Sequence, residues 1–311
     1  MDDATLTRLA EDFRRDGFVH VPGALDPAEV ETLGAAVDRA VFARKRNDTR
    51  TLAEKSPYEQ SFIQCQYLWE DFPDVGALTF HPAVGRIAGA LLGADRVRLW
   101  HDQALYKETG GRETDPHQDH PYWPINEHRT LTVWIALSAV DEAMGCMGYV
   151  PGSHLGAVEF TDIFTKPGAG QELVARQAAQ PVFKPVQPGD LLFHDGRTVH
   201  MAHPNRSAQT RRAYTAIYFA DGCTRAAGLR HPSVDRTGIA VGARIDGPAT
   251  PITWPLPDGK IPTPGPWPDS DHPRAVASRK LGIVPKYGNT GEIRGHDTYS
   301  PIPITSAQPD A

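Results

Sequence analysis

Residues 97–107, VRLWHDQALYK, are where the chain changes its period. Before this stretch apolar residues return every three or four positions. From Val97 onward they alternate with polar ones, the mark of a strand with two different faces. The runs Thr130–Ser138, Cys146–Val150, Asp190–His194 and Ala213–Ala220 continue the pattern, punctuated by Gly, Pro, Asp and Asn. Short strands broken by turn residues predict a mainly β fold with flanking helices, an antiparallel sandwich or barrel of jelly-roll type.

Upstream, Leu6, Leu9, Ala10 and Phe13 recur at helical spacing, and the chain then extends through Phe18–Val21 to a Pro-Gly turn. Asp26-Pro27-Ala28-Glu29 reads as a helix start: a capping oxygen, a proline in the first turn and an acid three residues on. Val30, Leu33, Val37 and Val41 mark its buried face, while the polar residues 45–60 read as a loop. Pro82 opens another helix, with Val84, Ile87, Ala88 and Leu91 on its inner stripe. Downstream of residue 222 the alternation stops. The sequence there is crowded with Pro and Gly, as in PLPDGKIPTPGPWPDSDHP at 255–273, and so excludes long helices and central strands. Composition leaves a disordered tail and an ordered wrap both open; Trp254, Ile261, Trp267, Leu281 and Ile283 favour the wrap. The organisation expected is one domain: residues 1–96 as helical support, 97–222 as the β core and 223–311 as a segment covering it.

At 40% hydrophobic and 23% charged residues over 311 positions, the chain has the composition of a folded protein. A net charge of −6 disfavours nucleic acid as a partner, and no apolar run approaches the ~20 residues of a membrane span. Three widely spaced cysteines, Cys65, Cys146 and Cys223, suit a reducing cytoplasm. Oligomeric state is not readable. The 28 Gly and 28 Pro fall partly in the turns between strands and partly beyond residue 222.

Three pieces carry chemistry. In PHQDHPYW (116–123), His117 and Asp119 stand two apart, so on a strand both side chains project from one face. His200, in HDGRTVHMAHPN, follows a predicted strand. Two histidines and a carboxylate make the ligand set of non-heme Fe(II) oxygenases, which leaves positions open for a co-substrate and O₂. Arg211 enters a strand soon after, where a planar guanidinium can clamp the far end of a dicarboxylate. Alone, a His-x-Asp pair is more often a surface hydrogen bond than a ligand set. Two other classes use the same residues: a zinc hydrolase or lyase, since zinc accepts His and Asp with an open position, and a non-catalytic jelly-roll binding protein.

The residues from Phe13 to Phe219 also resemble the phytanoyl-CoA dioxygenase family of Fe(II)/2-oxoglutarate-dependent oxygenases, which includes ectoine hydroxylase. The resemblance rests on FRRDGFVHVPGALDPAEV, the PHQDHPYW box, VWIALSAVDEAMGCMGYVPGSHLG and GDLLFHDGRTVHMAHPNRSAQTRRAY, in that order. It implies a double-stranded β-helix (cupin-like) core and iron on His117, Asp119 and His200. It further implies that 2-oxoglutarate is clamped at its 5-carboxylate by Arg211, and that the reaction hydroxylates an unactivated C–H bond of a small molecule, with succinate and CO₂ released. Halogenating relatives lack the carboxylate ligand, so Asp119 favours hydroxylation, desaturation or ring formation.

By the same likeness Thr132, on one face of its strand with Thr130 and Trp134, is placed to donate to the 5-carboxylate. His101, Gln103 and Lys107 alternate along their strand, making Gln103 and Lys107 candidates for contacting co-substrate or substrate. Trp123 matches an aromatic lining the active site. Ala202 stands where some relatives carry a small hydroxyl residue, so that contact is not expected. His120 and Arg212 are expected to face away, His154 to serve its turn, and His194 and His203 to make supporting hydrogen bonds. No basic cluster announces a CoA site, so a small polar molecule or natural-product scaffold is expected, with residues 223–311 covering the mouth.

Overall fold

The strand expected over 97–107 spans Val97–Lys107, and the architecture is organised around it. A computed structural model describes residues 1–46 and 48–265; Trp267, Leu281, Ile283 and the rest of the Pro-rich stretch from residue 266 lie outside the described residues. In chain order the strands are β1 (Phe18–Val21), β2 (Ile63–Gln66), β3 (Val97–Lys107), β4 (Thr114–His117), β5 (Thr130–Ala136), β6 (Met147–Tyr149), β7 (Val182–Lys184), β8 (Leu191–Asp195), β9 (His200–Ala202), β10 (Arg211–Ala220) and β11 (Ile252–Trp254). One antiparallel sheet runs β1-β8-β5-β10-β3-β11, with β2 sharing the outer edge of β3. The second runs β4-β9-β6-β7. Trp134, Ala136 and Leu192 of the first meet Met147, Tyr149 and Ala202 of the second in a common apolar layer, closing a two-sheet jelly roll.

Strand β5 shows why the sequence folds this way. Leu131, Val133 and Ile135 point outward, where helices Asp3–Asp16, Pro27–Lys45 and Pro82–Leu92 cover them with Leu6, Phe13, Val37, Val84 and Ile87. Thr132 and Trp134 point inward, into the cavity between the sheets. The helix starts are as expected: Asp26 Oδ1 accepts from the amides of Ala28 (2.9 Å) and Glu29 (3.2 Å). Within 45–60 the loop contains one 3₁₀ turn, Leu52–Glu54.

The differences lie in the short strands. The expected run 213–220 begins earlier, at Arg211, and Asp190–His194 is displaced to Leu191–Asp195. His117 and Asp119 do not share a strand: β4 ends at His117, and Asp119 has helical angles (φ −77°, ψ −40°) at the head of the 3₁₀ turn His120–Tyr122. Pro121 is the reason, since it has no amide for a ladder and its ring fixes the turn's φ. His200, placed by the sequence after a strand, itself opens β9 and sits in register with His117.

The segment after residue 222 wraps the core as far as it is described. It holds the short helix Pro232–Asp235, edge strand β11 and the 3₁₀ turn Pro257–Gly259, and Trp254 packs against Gly85 and Gly89 of the helix Pro82–Leu92. Arg236 fixes it by a bidentate pair with Glu70 (2.8 and 2.6 Å).

Asp102, on β3, is fully buried. Its Oδ2 accepts from Trp69 N (3.0 Å) and Tyr214 Oη (2.7 Å), whereas Oδ1 has no partner. Burial raises its carboxyl to about 7, against the pull of those two bonds. A folded-state value above the unfolded one means stability present below about pH 4 and lost as pH rises through about 7. Asp102→Asn keeps an acceptor and cannot ionise. Its advantage in thermal unfolding is expected to grow between pH 4 and 7, towards an upper bound of about 4 kcal/mol. A pH-independent difference would show that Asp102 is not titrating.

Candidate active site

Three ligand atoms converge where β4 and β9 meet. Asp119 Oδ1 lies 3.6 Å from His117 Nε2 and 3.6 Å from His200 Nε2, and all three atoms fall within 4.8 Å of one another. That spacing is of the order needed by three donors sharing one ion at about 2.0–2.2 Å. Each imidazole is fixed by its other nitrogen: His117 Nδ1 donates to the carbonyl of Asp115 (2.8 Å) and His200 Nδ1 to that of Thr198 (3.0 Å). Both Nε2 lone pairs therefore face Asp119. Burial, reinforced by His117 and His194, holds His200 well below its ordinary pKa and hence neutral. Burial would raise the Asp119 carboxyl, but His200, His117 and His194 outweigh it and keep it well below the usual range.

Asp119 is also oriented from behind. Its Oδ2 accepts from Thr132 Oγ1 (2.9 Å, from β5) and from His194 Nε2 (3.1 Å, from β8), leaving Oδ1 for a metal. This corrects the role expected for Thr132, whose hydroxyl is engaged by the carboxylate ligand. It also gives His194 the supporting bond expected of it.

Arg211, at the start of β10, is buried and donates to the carbonyl of Gly145 (2.7 Å), with its guanidinium over Trp134 (5.5 Å to the ring centroid). Gly145 has φ +83°, and a Cβ there would strike the carbonyl of His203, so a glycine is required at this turn. Among the described residues Arg211 forms no ion pair, and its Nε has no partner. Burial lowers its pKa to about 10, so it stays charged at neutral pH. Two imidazoles and a carboxylate beside a buried cation with no ion pair among the described residues fit a metal chelated by a dicarboxylate.

The cavity between the sheets spans about 830 Å³ when the open space at its mouth is included. The triad, Arg211, Thr132, Gln103, His101 and Trp123 all line it. Lys107 does not. It is buried beyond the end of the cavity, where its Nζ donates to the carbonyl of Arg112 and to Thr114 Oγ1 (3.4 Å). Burial, with Arg211 nearby, drives its ammonium well below the ordinary value. Gln103 accepts from Gln64 Nε2. His120 faces away, edge-on to His128 (4.6 Å between ring centroids), and Arg212 pairs with Asp38 (2.5 Å). His154 Nε2 donates to the carbonyl of Arg14 (3.1 Å), His203 stacks on Phe183 (3.7 Å) and Ala202 is buried in the apolar layer.

Several lining residues were not foreseen: Tyr58, Phe62, Gln64, Tyr122, Phe164 and His231. Tyr58 comes from the polar loop, Phe62 from its junction with β2 and Gln64 from β2, none of which carries a periodic signal. His231 comes from beyond the alternating region.

Comparison with known proteins agrees with this geometry. The family model described as phytanoyl-CoA dioxygenase (PhyH) matches residues 13–213. The methylphosphonate hydroxylase of Gimesia maris is 28% identical over 223 residues, 70% of this chain and 82% of that one. Among solved structures, the non-heme alpha-ketoglutarate-dependent carbocyclase SnoK from nogalamycin biosynthesis is 30% identical, with a TM-score of 0.66 over 79% of this chain and 95% of that one. The epimerase SnoN, in complex with Fe³⁺, alpha-ketoglutarate and nogalamycin RO, is 28% identical, with a TM-score of 0.64 over 81% of this chain and all of its own.

Proposed function

The chain belongs to the phytanoyl-CoA dioxygenase family and is an Fe(II)- and 2-oxoglutarate-dependent dioxygenase with a cupin-type jelly-roll core, and from that premise we propose that it hydroxylates an unactivated C–H bond of an uncharged, ring-bearing small molecule. Membership sets aside the zinc-hydrolase and non-catalytic readings of the same triad. His117, Asp119 and His200 are assigned as the iron ligands and Arg211 as the clamp on the distal carboxylate of 2-oxoglutarate. When bound, iron and 2-oxoglutarate supply the oxidising power, consuming O₂ and releasing succinate and CO₂. The chain's own residues supply position. Thr132 and His194 hold Asp119 by Oδ2, the carbonyls of Asp115 and Thr198 aim the two imidazoles, and Trp134 backs the guanidinium. Aromatic walls limit water around the reacting centre.

The observation that carries the substrate class is the charge of the lining. Arg211 is the only Arg or Lys among the described lining residues, and the proposed co-substrate uses it. A phosphonate, a carboxylate or a CoA phosphate needs a cation of its own when it enters so enclosed a site. The remaining walls combine aromatic rings (Tyr58, Phe62, Tyr122, Trp123, Phe164) and aliphatic side chains (Leu105, Ile163, Ile217) with neutral amides from Gln64, Gln66 and Gln103. Such a surface suits a flat or polycyclic molecule bearing oxygen functions. Enzymes of nogalamycin biosynthesis at 28–30% identity support a natural-product substrate over the methylphosphonate of the Gimesia maris relative.

The test is succinate release under air with iron and 2-oxoglutarate, against three compound sets: methylphosphonate, acyl-CoA thioesters and neutral polycyclic natural products. Stimulation only by the neutral set is expected, with one oxygen atom gained in the product. Stimulation by methylphosphonate or a CoA ester would overturn the substrate class. The carbocyclase and epimerase likenesses point to two alternative endings, and product mass separates them: cyclisation loses two hydrogens and epimerisation leaves the mass unchanged.

A further inference from the structure

Between the 3₁₀ turn Ser153–Leu155 and the short helix Gln171–Ala175, residues 156–170 form neither helix nor strand. Ordered connections longer than about 12–15 residues are uncommon in compact domains and usually carry function. This one is held by β4 and the turn after it, the same stretch that supplies two of the metal ligands. Asp115 Oδ1 accepts from the amide of Gly168 (3.0 Å), and Tyr122 Oη donates to the carbonyl of Thr161 (2.7 Å). A Cβ at Gly170 would lie 1.8 Å from the carbonyl oxygen of Pro116, so the chain passes β4 this closely only as glycine.

The tightest tie is Gln118, which is 1% exposed. Its Nε2 donates to the carbonyls of Ala157 (3.2 Å) and Arg197 (2.6 Å), and its Oε1 accepts from the amide of Glu159 (2.8 Å). Both ends of the side-chain amide are therefore spent on backbone. Gln118 stands between His117 and Asp119, yet those two line the cavity and Gln118 is not among its described lining residues. Successive side chains leave a strand on opposite faces, so the ligands turn inward and the amide turns to the segment.

What the segment presents to the cavity is Ile163, 7% exposed, and Phe164. Phe164 packs against Tyr58, from the loop before β2 (ring centroids 4.7 Å, planes 45° apart), and edge-on against Tyr122 (5.5 Å, 73°). Tyr122 in turn lies 6.0 Å from the ring of His117. One aromatic ring thus separates Phe164 from a metal ligand.

We propose that residues 157–165 are the substrate-selecting element, with Phe164 as the residue that contacts the substrate's ring and Gln118 as the positioning residue that holds the element without serving the metal. This rests on the ring-bearing substrate class proposed above. An aromatic side chain adds a preference for aromatic partners beyond the area it buries. That preference is realised only if the ring is held in place, which here falls to three bonds from one buried amide.

The probes are 1-naphthol and decahydro-1-naphthol, which share a carbon skeleton and a hydroxyl and differ in aromaticity. They are bound anaerobically to the iron- and 2-oxoglutarate-loaded protein in equilibrium dialysis. Wild type is expected to prefer the aromatic compound by at least about fivefold. Phe164→Leu keeps apolar area without the ring, and is expected to reduce that preference by about two- to tenfold, one aromatic pair's worth. Gln118→Met is expected to reduce it likewise and to speed amide hydrogen exchange across residues 157–165 by about tenfold or more. Its iron content, and its affinity for 2-oxoglutarate by calorimetry, are expected to stay at wild-type values. Loss of either in Gln118→Met would make Gln118 part of the metal site, and an unchanged preference in Phe164→Leu would take selection away from the segment. Each of these results overturns the proposal. No aromatic preference in wild type overturns the ring-bearing substrate class, and the proposal with it.

Discussion

Asp119→Ala is expected to lose 2-oxoglutarate-coupled succinate formation by at least about 100-fold, while the protein still folds. Changing a residue that merely orients a metal ligand typically costs about 10–100-fold, and this change removes a ligand itself. It also removes the only carboxylate of the triad, the one whose Oδ1 stands 3.6 Å from both imidazole nitrogens. What remains is two histidines, with Thr132 and His194 aimed at an oxygen no longer present. Thr132→Val is the companion experiment: it keeps the ligand and deletes one orienting bond, so a loss of about tenfold is expected, with metal content near normal. Metal stoichiometry by mass spectrometry and succinate by enzymatic assay check both. Full iron occupancy and undiminished succinate in Asp119→Ala would sink the triad.

How much of this was legible in the chain follows from length and period. Strand β3 runs for eleven residues, so alternation locates both of its ends. The inner stripe of the helix Pro82–Leu92, Val84, Ile87, Ala88 and Leu91, is buried as its spacing implies. Strands β4, β6 and β9 have three or four residues each, too few for a period to register. The motif residues His117 and His200 could therefore be named while their backbone setting could not. Asp119 shows the limit most clearly. Its role follows from residue type, but its geometry follows from Pro121 and from two bonds supplied by β5 and β8, which only topology brings together. Lys107 fails in the opposite direction: alternation puts it on the correct face, but β3 runs past the end of the cavity, so the ammonium meets the carbonyl of Arg112. His231 had no motif at all. It enters through the Arg236–Glu70 and Arg225–Asp235 pairs, long-range contacts that no local window contains.

Arg211→Met should raise the apparent KM for 2-oxoglutarate by about 30-fold or more without destabilising the protein. A buried ion costs several kcal/mol in lost hydration even after relaxation, and a counter-charge normally offsets that cost. Among the described residues Arg211 has no ion pair, only the Gly145 carbonyl and the face of Trp134. Its position is thus a liability in the protein alone and an asset once a carboxylate arrives, the pattern expected where function overrides stability. Removing one member of a buried charge pair typically costs about 2–5 kcal/mol of binding, and each 1.4 kcal/mol is about tenfold, hence the magnitude for KM. Methionine fills similar space beside Trp134 and Gly145 and brings no charge to desolvate. The Tm of the protein without co-substrate should stay level or rise, while the increment on adding 2-oxoglutarate should vanish. Arg211→Lys keeps the charge but loses the planar two-point grip, so it should fall between the two. Lys107 is no substitute, because burial drives its ammonium towards the neutral form and its Nζ is committed to Arg112. Two measurements decide the matter: KM from succinate formation, and Tm with and without 2-oxoglutarate. An unchanged KM would place the clamp elsewhere, and a large fall in Tm without co-substrate would make Arg211 a structural residue.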